Sequence, residues 1–230
     1  MSEVILKVRN VSKCYNLYNS GSISGDLSKW ISSRRYEKNT NEFWALREIS
    51  FDLIKGDRLA VTGDNGAGKS TLLKILSKIT RPTGGSVIGR GRITSMLEVG
   101  TGFHPELSGI ENIYLNGAML GMSKQDIKLK VDEIVDFAQI INQVNNPVKL
   151  YSSGMYMRLA FATAAHLQSE TIIMDEVLAV GDQQFKEKCI KKLNELSSEF
   201  GKTIILVSHE REHIQSICNK EIRLCKGLMI

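Results

Sequence analysis

The chain has 230 residues, 42% of them hydrophobic and 24% charged, with a formal net charge of +5. That is an ordinary globular composition, long enough for one domain with a full core. It holds no run of about 18 apolar residues, which excludes a membrane-spanning helix. The start "MSEVILKVRN" lacks the basic, apolar and small-residue succession of a signal peptide, so a cytoplasmic location is expected. Cys14, Cys189, Cys218 and Cys225 are scattered without a C-x-x-C pair, so neither a metal knuckle nor a disulfide framework is expected. The positive charge forms no long run and gives mild support for a place beside a membrane surface.

In chain order, "EVILKVRNVSKCY" reads as a strand followed by a turn. "LREISFDLIKGDRLAVTG" reads as two strands joined at Lys55-Gly56-Asp57, a tight-turn signal. Apolar residues at 72, 73, 75 and 76 predict a helix over 69–77. "SVIGRGRITSML" is short strand material broken by glycine. Residues 108–121 and 123–138 read as helices, the second opened by Ser123 with Asp126 three positions on. Asn145-Asn146-Pro147 then breaks the chain before "YSSGMYMRLAFA", a capped helix start. "TIIMDEV" and "KTIILVSH" are buried strands, 183–198 an amphipathic helix, 210–218 a helix and "EIRLC" a strand. Uninterrupted apolar strands alternating with helices imply an α/β fold with a parallel sheet covered on both faces. The block from about 108 to 168 interrupts that alternation and is expected to form a separate helical lobe.

Residues 16–43 resist this scheme. They open Gly/Ser-rich, then carry Leu27, Trp30 and Ile31 beside Lys29, Arg34, Arg35 and Lys38. Two readings stand: a short amphipathic helix for a membrane or partner surface, or a solvated insertion with one packed tryptophan.

The strongest chemical signal is "GDNGAGKST", which fits G-x-x-x-x-G-K-[ST] between a strand and a helix. Gly63, Asp64, Asn65, Gly66, Ala67, Gly68, Lys69, Ser70 and Thr71 would wrap the phosphates of a nucleotide. Glycines let the backbone approach, and the helix N-terminus adds amide donors and a positive dipole end. Lys69 would reach the β- and γ-phosphates and Ser70 would ligate Mg²⁺. "TIIMDEV" supplies the carboxylates that such a site needs, at the C-terminal end of a strand. Asp175 would hold Mg²⁺ through water, and Glu176 is the candidate general base for the attacking water. His209 ends the second buried strand. It touches the γ-phosphate and Glu176 only if the two strands are neighbours.

The order P-loop, helical insertion with a Ser-Gly helix start, hydrophobic-Asp-Glu and strand-His resembles the nucleotide-binding subunit of ABC transporters. The resemblance covers nearly the whole chain. It implies one domain over 1–230: a P-loop NTPase core of about 1–107 and 169–230, with an N-terminal antiparallel β region, and a helical signature lobe of about 108–168. Tyr151-Ser152-Ser153-Gly154-Met155 stands where the family has L-S-G-G-Q. Ser152 and Gly154 match, and the resemblance sets them against the γ-phosphate held by a second copy. A homodimer would thus sandwich two ATP molecules. Glu98 stands where the family has a glutamine, within reach of Mg²⁺ or its waters. Asp182 matches the acidic end of the family's D-loop. Tyr15 matches the aromatic that stacks on adenine, with Trp44 the alternative.

"FWALREISF", "EVGTGFHPELSGIENIYLNG", "YSSGMYMRLAFA" and "DEVLAVGDQQFKEKC" together look like the ATPases of bacterial polysaccharide exporters for O-antigen, capsule or teichoic acid. The long insertion before "FWAL" fits the O-antigen and teichoic acid branches. The resemblance implies a peripheral subunit on the inner face of the cell membrane that powers an integral membrane permease handling a lipid-linked glycan. No nucleic acid is expected as partner. The competing class is an ABC ATPase acting on nucleic acid or ribosomes without a permease. The end at "CKGLMI" suggests a truncated chain from which a carbohydrate-binding domain is missing.

Overall fold

The two strands read as buried divide their side chains between two hydrophobic cores. In β6 (Thr171–Asp175), Ile172 and Met174 enter one cluster and Ile173 the other. In β7 (Thr203–Val207), Ile204 and Leu206 face the first cluster, Ile205 and Val207 the second. This is the period-two alternation of a strand with apolar matter on both sides. A computed structural model describes residues 3–17, 41–95, 102–167, 169–175, 182–208 and 210–230.

The larger sheet has the order β5-β6-β7-β3-β8-β9, with β3 at Arg58–Gly63, β5 at Ile93–Ser95, β8 at Lys220–Cys225 and β9 at Leu228–Met229. Its pairings are parallel except the last, where β9 folds back on β8. A three-stranded antiparallel sheet, β2-β1-β4, packs beside it, from β1 (Val4–Leu17), β2 (Asn41–Ile54) and β4 (Gly84–Gly89). The turn at Lys55-Gly56 closes as expected, with the Asp57 amide donating to the Ile54 carbonyl at 3.0 Å. It joins strands of two different sheets, so it is not a hairpin. The glycine-broken "SVIGRGRITSML" is likewise split: β4 pairs with β1, and β5 with β6.

Helix α1 (Lys69–Leu76) covers the second cluster, with Leu72, Leu73, Ile75 and Leu76 buried. Helices α4 (Ser153–His166) and α5 (Gln183–Ser198) cover the first. Helices α2 (Gly109–Met119) and α3 (Lys124–Ala138) join that same cluster, through Ile113, Ile127, Ile134 and Phe137. The helical block therefore shares its core with β6, β7 and α5. Ser123 caps α3 as read, accepting from the Asp126 amide. A complete capping box at Ser108 and Glu111 opens α2. A 3-10 turn at Val148–Leu150 leads into α4, and α6 (Arg211–Ile217) precedes β8.

Both ends of the segment 16–43 are strand. Asn16 pairs with Glu42 and Leu17 with Asn41, so the flanking residues extend the β1–β2 ladder. Leu27, Trp30, Ile31 and their basic neighbours lie outside the described residues.

Candidate functional site

The loop Gly63 to Thr71 leaves the C-terminal end of β3, at the centre of the larger sheet, and turns into α1. The Lys69 side chain folds back over the loop. Its ammonium donates to the carbonyls of Gly63 at 2.7 Å and Asp64 at 3.0 Å. These two bonds hold a buried cation above the loop without an acid partner among the described residues. Such an ammonium is free to meet an anion.

The loop is held from below by backbone. Gly227, in the β8–β9 turn, donates to the Ala67 carbonyl at 3.0 Å and accepts from the Arg47 amide at 2.8 Å. Gly68 has φ 107°, and a Cβ there would stand 2.5 Å from the Ala45 carbonyl oxygen. Gly66 also has a positive φ, 78°, but a Cβ there would meet none of the described residues within 4 Å. One glycine is thus set by a close backbone approach, the other by the turn alone, facing open space.

β6 runs beside β7 and one strand away from β3, bringing its C-terminal Asp175 to the same edge. The Ser70 hydroxyl lies 3.5 Å from Asp175 Oδ2. Residues 105 apart in sequence thus form one oxygen-donor pair. The pair β6–β7 is in register, Asp175 opposite Val207, so the neighbouring-strand condition set for His209 is met by the strands. His209, Glu176 and Glu98 themselves lie outside the described residues.

The ABC transporter family profile matches residues 46–179. The chain belongs to that family. It is 39% identical over 221 residues to the O-antigen export system ATP-binding protein RfbB of Klebsiella pneumoniae, covering 96% of this chain and 89% of that protein. It is 42% identical to the RfbB of Myxococcus xanthus over 84% of this chain but only 44% of that longer protein. It is also 41% identical to the teichoic acids export ATP-binding protein TagH of Listeria monocytogenes, over 95% of this chain and 64% of that protein. Among solved structures, a dimeric ATP-binding cassette bound to ADP and Pi matches with TM-score 0.79 at 22% identity, covering 98% of this chain and 96% of that one. At that identity the match shows the fold.

In this cassette Ser152 is the N-cap of α4, its hydroxyl accepting from the Met155 amide at 3.2 Å. Ser152 and Ser153 are exposed, and among the described residues a Cβ at Gly154 would meet only the Ser152 hydroxyl, at 4.0 Å. The helix start is therefore open, and first-turn amides have no carbonyl of their own helix to bond. Tyr151, which replaces the usual leucine, donates its hydroxyl to the Gln143 carbonyl at 3.0 Å. Partial burial pushes that phenol above its usual range. This departure ties the helix start to the preceding turn.

Asp182 caps α5, accepting from the Phe185 amide at 2.9 Å, and also takes the Arg158 guanidinium at 2.7 Å. Arg158 is on α4, bonds Gln139 at 3.0 Å and lies 5.1 Å from the Phe185 ring centroid. One side chain thus links the signature helix to the end of α3 and the start of α5. Sequence reasoning missed it, because nothing in "MYMRLAFA" marks an arginine as a hub. It also missed Asn112 and Asn116, one helical turn apart on α2. Asn112 accepts from the His104 amide at 2.6 Å and donates to the carbonyls of His104 and Leu107, while Asn116 donates to Gly102. They anchor the segment that follows Glu98 in sequence. The signal was their i, i+4 spacing on a helix that beyond Glu111 in its first turn is mostly apolar.

Tyr15 pairs with Phe43, and Cys14 with Trp44, in unbroken register. Consecutive strand residues point to opposite faces, so Tyr15 and Trp44 are on opposite faces of the β1–β2 ribbon. Tyr15 is 37% and Trp44 36% exposed, so exposure does not choose between them.

Proposed function

We propose that this chain is the ATP-hydrolysing subunit that powers export of a lipid-linked polysaccharide, O-antigen-like, through a separate membrane permease. The observation that carries the chemistry is the convergence of Lys69, Ser70 and Asp175 at one edge of the parallel sheet. The glycan assignment rests on the export ATPases of known name to which the chain is similar.

The Lys69 ammonium binds the β- and γ-phosphates, exchanging its loop carbonyls for charged oxygens. Gly66, Gly68 and their neighbours in the loop present amides at the N-terminal end of α1, where the dipole favours negative charge. Ser70 and Asp175 offer hard oxygen donors that fit Mg²⁺, with Asp175 acting through water. Among the described residues no three His, Cys, Asp or Glu side chains gather as an all-protein cage, which suits an ion shared with phosphate. When bound, Mg²⁺ neutralises charge developing on the phosphates. Glu98 accepts hydrogen bonds from the waters of that ion, Glu176 takes the proton of the attacking water, and His209 contacts the γ-phosphate. Tyr15 or Trp44 stacks on adenine.

Two copies pack head to tail. Ser152 and Gly154 of one face the γ-phosphate held by the other, and Asp182 lies at the same interface. The open start of α4 and the dimeric form of a matching cassette support this arrangement. Among the described residues no helix is long and apolar enough to cross a membrane, in keeping with a peripheral subunit on the inner membrane face.

A site split between two copies makes the ATPase rate per subunit rise with protein concentration. The Glu176→Gln variant binds ATP, turns over slowly and accumulates as dimer. A rate per subunit that stays flat down to monomeric concentration refutes the split site. Wild-type turnover by Glu176→Gln refutes its role as base. Deleting the gene should strand lipid-linked glycan on the inner leaflet; unchanged surface glycan refutes the export reading.

A further inference from the structure

A cavity of about 610 Å³ lies at the opposite end of the larger sheet from the P-loop. Its floor is the entry to β6 and β7, at Ser169, Glu170, Gly201 and Lys202. One five-residue strand separates that floor from Asp175, roughly 16 Å. One wall is Lys130 and Glu133 of α3 with His166 of α4, the other Lys192 and Glu195 of α5. The volume falls within the range of small-molecule sites, about 300–1,000 Å³.

The charges lining it are unevenly employed. Glu133 pairs with Lys130 at 2.8 Å and with Lys192 at 3.7 Å, and Glu195 pairs with Lys192 at 3.2 Å. Glu3 pairs with Arg90 at 3.5 Å, and Glu170 accepts from the Arg92 amide at 2.5 Å. His166 Nδ1 meets the Ala162 carbonyl, and burial holds the ring below its usual range, hence neutral at pH 7. That leaves Lys202. Among the described residues its ammonium makes one bond, to the Leu167 carbonyl at 3.1 Å, and no ion pair. Burial, then the nearby Lys192 and Lys130, lower it to about 8 against the attraction of Glu170. On the adjacent strand entry, Ser169 is 5% exposed, and among the described residues its hydroxyl has no hydrogen-bond partner. A partly buried ammonium without an ion pair and a buried hydroxyl without a partner, both lining one cavity, are costly to leave unsatisfied. One oxyanion would satisfy both.

We propose that this cavity binds a small metabolite through a phosphate or carboxylate group seated on Lys202 and Ser169. The assignment does not depend on the nucleotide site, which opens at the other end of the strands. The occupant would bridge the helical block and the sheet, since α3 and α4 form one wall and the strand entries the floor.

The test is protection of Lys202 from acetylation by a water-soluble N-hydroxysuccinimide acetate, read by peptide mass spectrometry. Inorganic phosphate and malonate are titrated separately against chloride at matched ionic strength. The exposed Lys124 serves as internal reference. Both the free protein and protein saturated with a non-hydrolysable ATP analogue are used. At about ten times the dissociation constant one site in ten stays empty, so Lys202 labelling falls about tenfold while Lys124 does not change. Protection by one anion and not the other identifies the group bound. If neither anion protects Lys202 beyond Lys124, the proposal fails. It also fails if protection disappears when the analogue fills the P-loop, since the anion then acts from there.

Discussion

Gly66 and Gly68 both have positive φ in the same phosphate loop, yet replacing each with alanine should have different consequences. A side chain in the left-handed region costs roughly 1–2 kcal/mol, and both variants carry that term. At Gly66 none of the described residues stands within 4 Å of the new methyl group, so the term is nearly all of it. At Gly68 the methyl would stand 2.5 Å from the Ala45 carbonyl oxygen and 2.8 Å from Leu46 Cδ2. Both neighbours belong to β2, whose buried Ala45 and Leu46 cannot yield freely. Overpacking of that kind adds about 1–3 kcal/mol. Gly68→Ala should therefore lose about 2–5 kcal/mol of folding stability and Gly66→Ala about 1–2. With a urea m-value of about 3 kcal/mol/M, the two midpoints separate by about 0.3–1 M. The assay is urea unfolding of both variants without nucleotide, followed by equilibrium ATP binding at low urea. Gly66→Ala should stay folded and weaken ATP binding by on the order of tenfold, about 1.4 kcal/mol, because its methyl occupies the open space over the loop. Coincident urea midpoints would falsify the claim that contact with β2 sets Gly68.

Removing the Arg158 hub by Arg158→Met should cost about 1–2 kcal/mol, from a partly exposed ion pair with Asp182 and the contact with the Phe185 ring; an unchanged melting curve would contradict it. His166 should make stability depend on pH. Folding holds its imidazole below the usual range, so the unfolded chain takes up the proton first as pH falls. Its contribution is intact above about pH 6.5 and is lost as pH drops toward the lower folded value. His166→Gln should flatten that part of the stability profile, and an identical slope in the variant would rule His166 out. Burial also pushes the Cys189 and Cys218 thiols up to about 12. A thiol reagent at pH 8 should therefore modify Cys14 and Cys225 first in the folded protein, and early loss of Cys189 would refute the burial account.

Much of the site was legible because its parts are local. The P-loop is contiguous, and its strand and helix lie on either side of it. Asp175 was legible as the polar end of an apolar strand, and parallel sheets place such ends together. The helix caps at Ser123, Ser152 and Asp182 are short-range patterns, though only those at Ser123 and Ser152 were read as caps. The β4–β5 split was not legible, because three to six residues of strand material do not encode which sheet will take them. Nor was the Gly227 support under Ala67, whose partners are 160 positions apart. That Tyr15 and Trp44 lie on opposite faces was not legible either, since only the pairing of β1 with β2 shows it.

The sequence by itself determined the alternation of strands and helices, the phosphate loop and the family. These depend on residue type and spacing along a few turns of chain. Tertiary structure alone decided that Ser70 meets Asp175, that Arg158 joins three helices, and that Lys202 and Ser169 share the floor of a cavity. The physical reason is that strand order sets these distances. That order results from burying two apolar faces at once, which is a property of the whole chain.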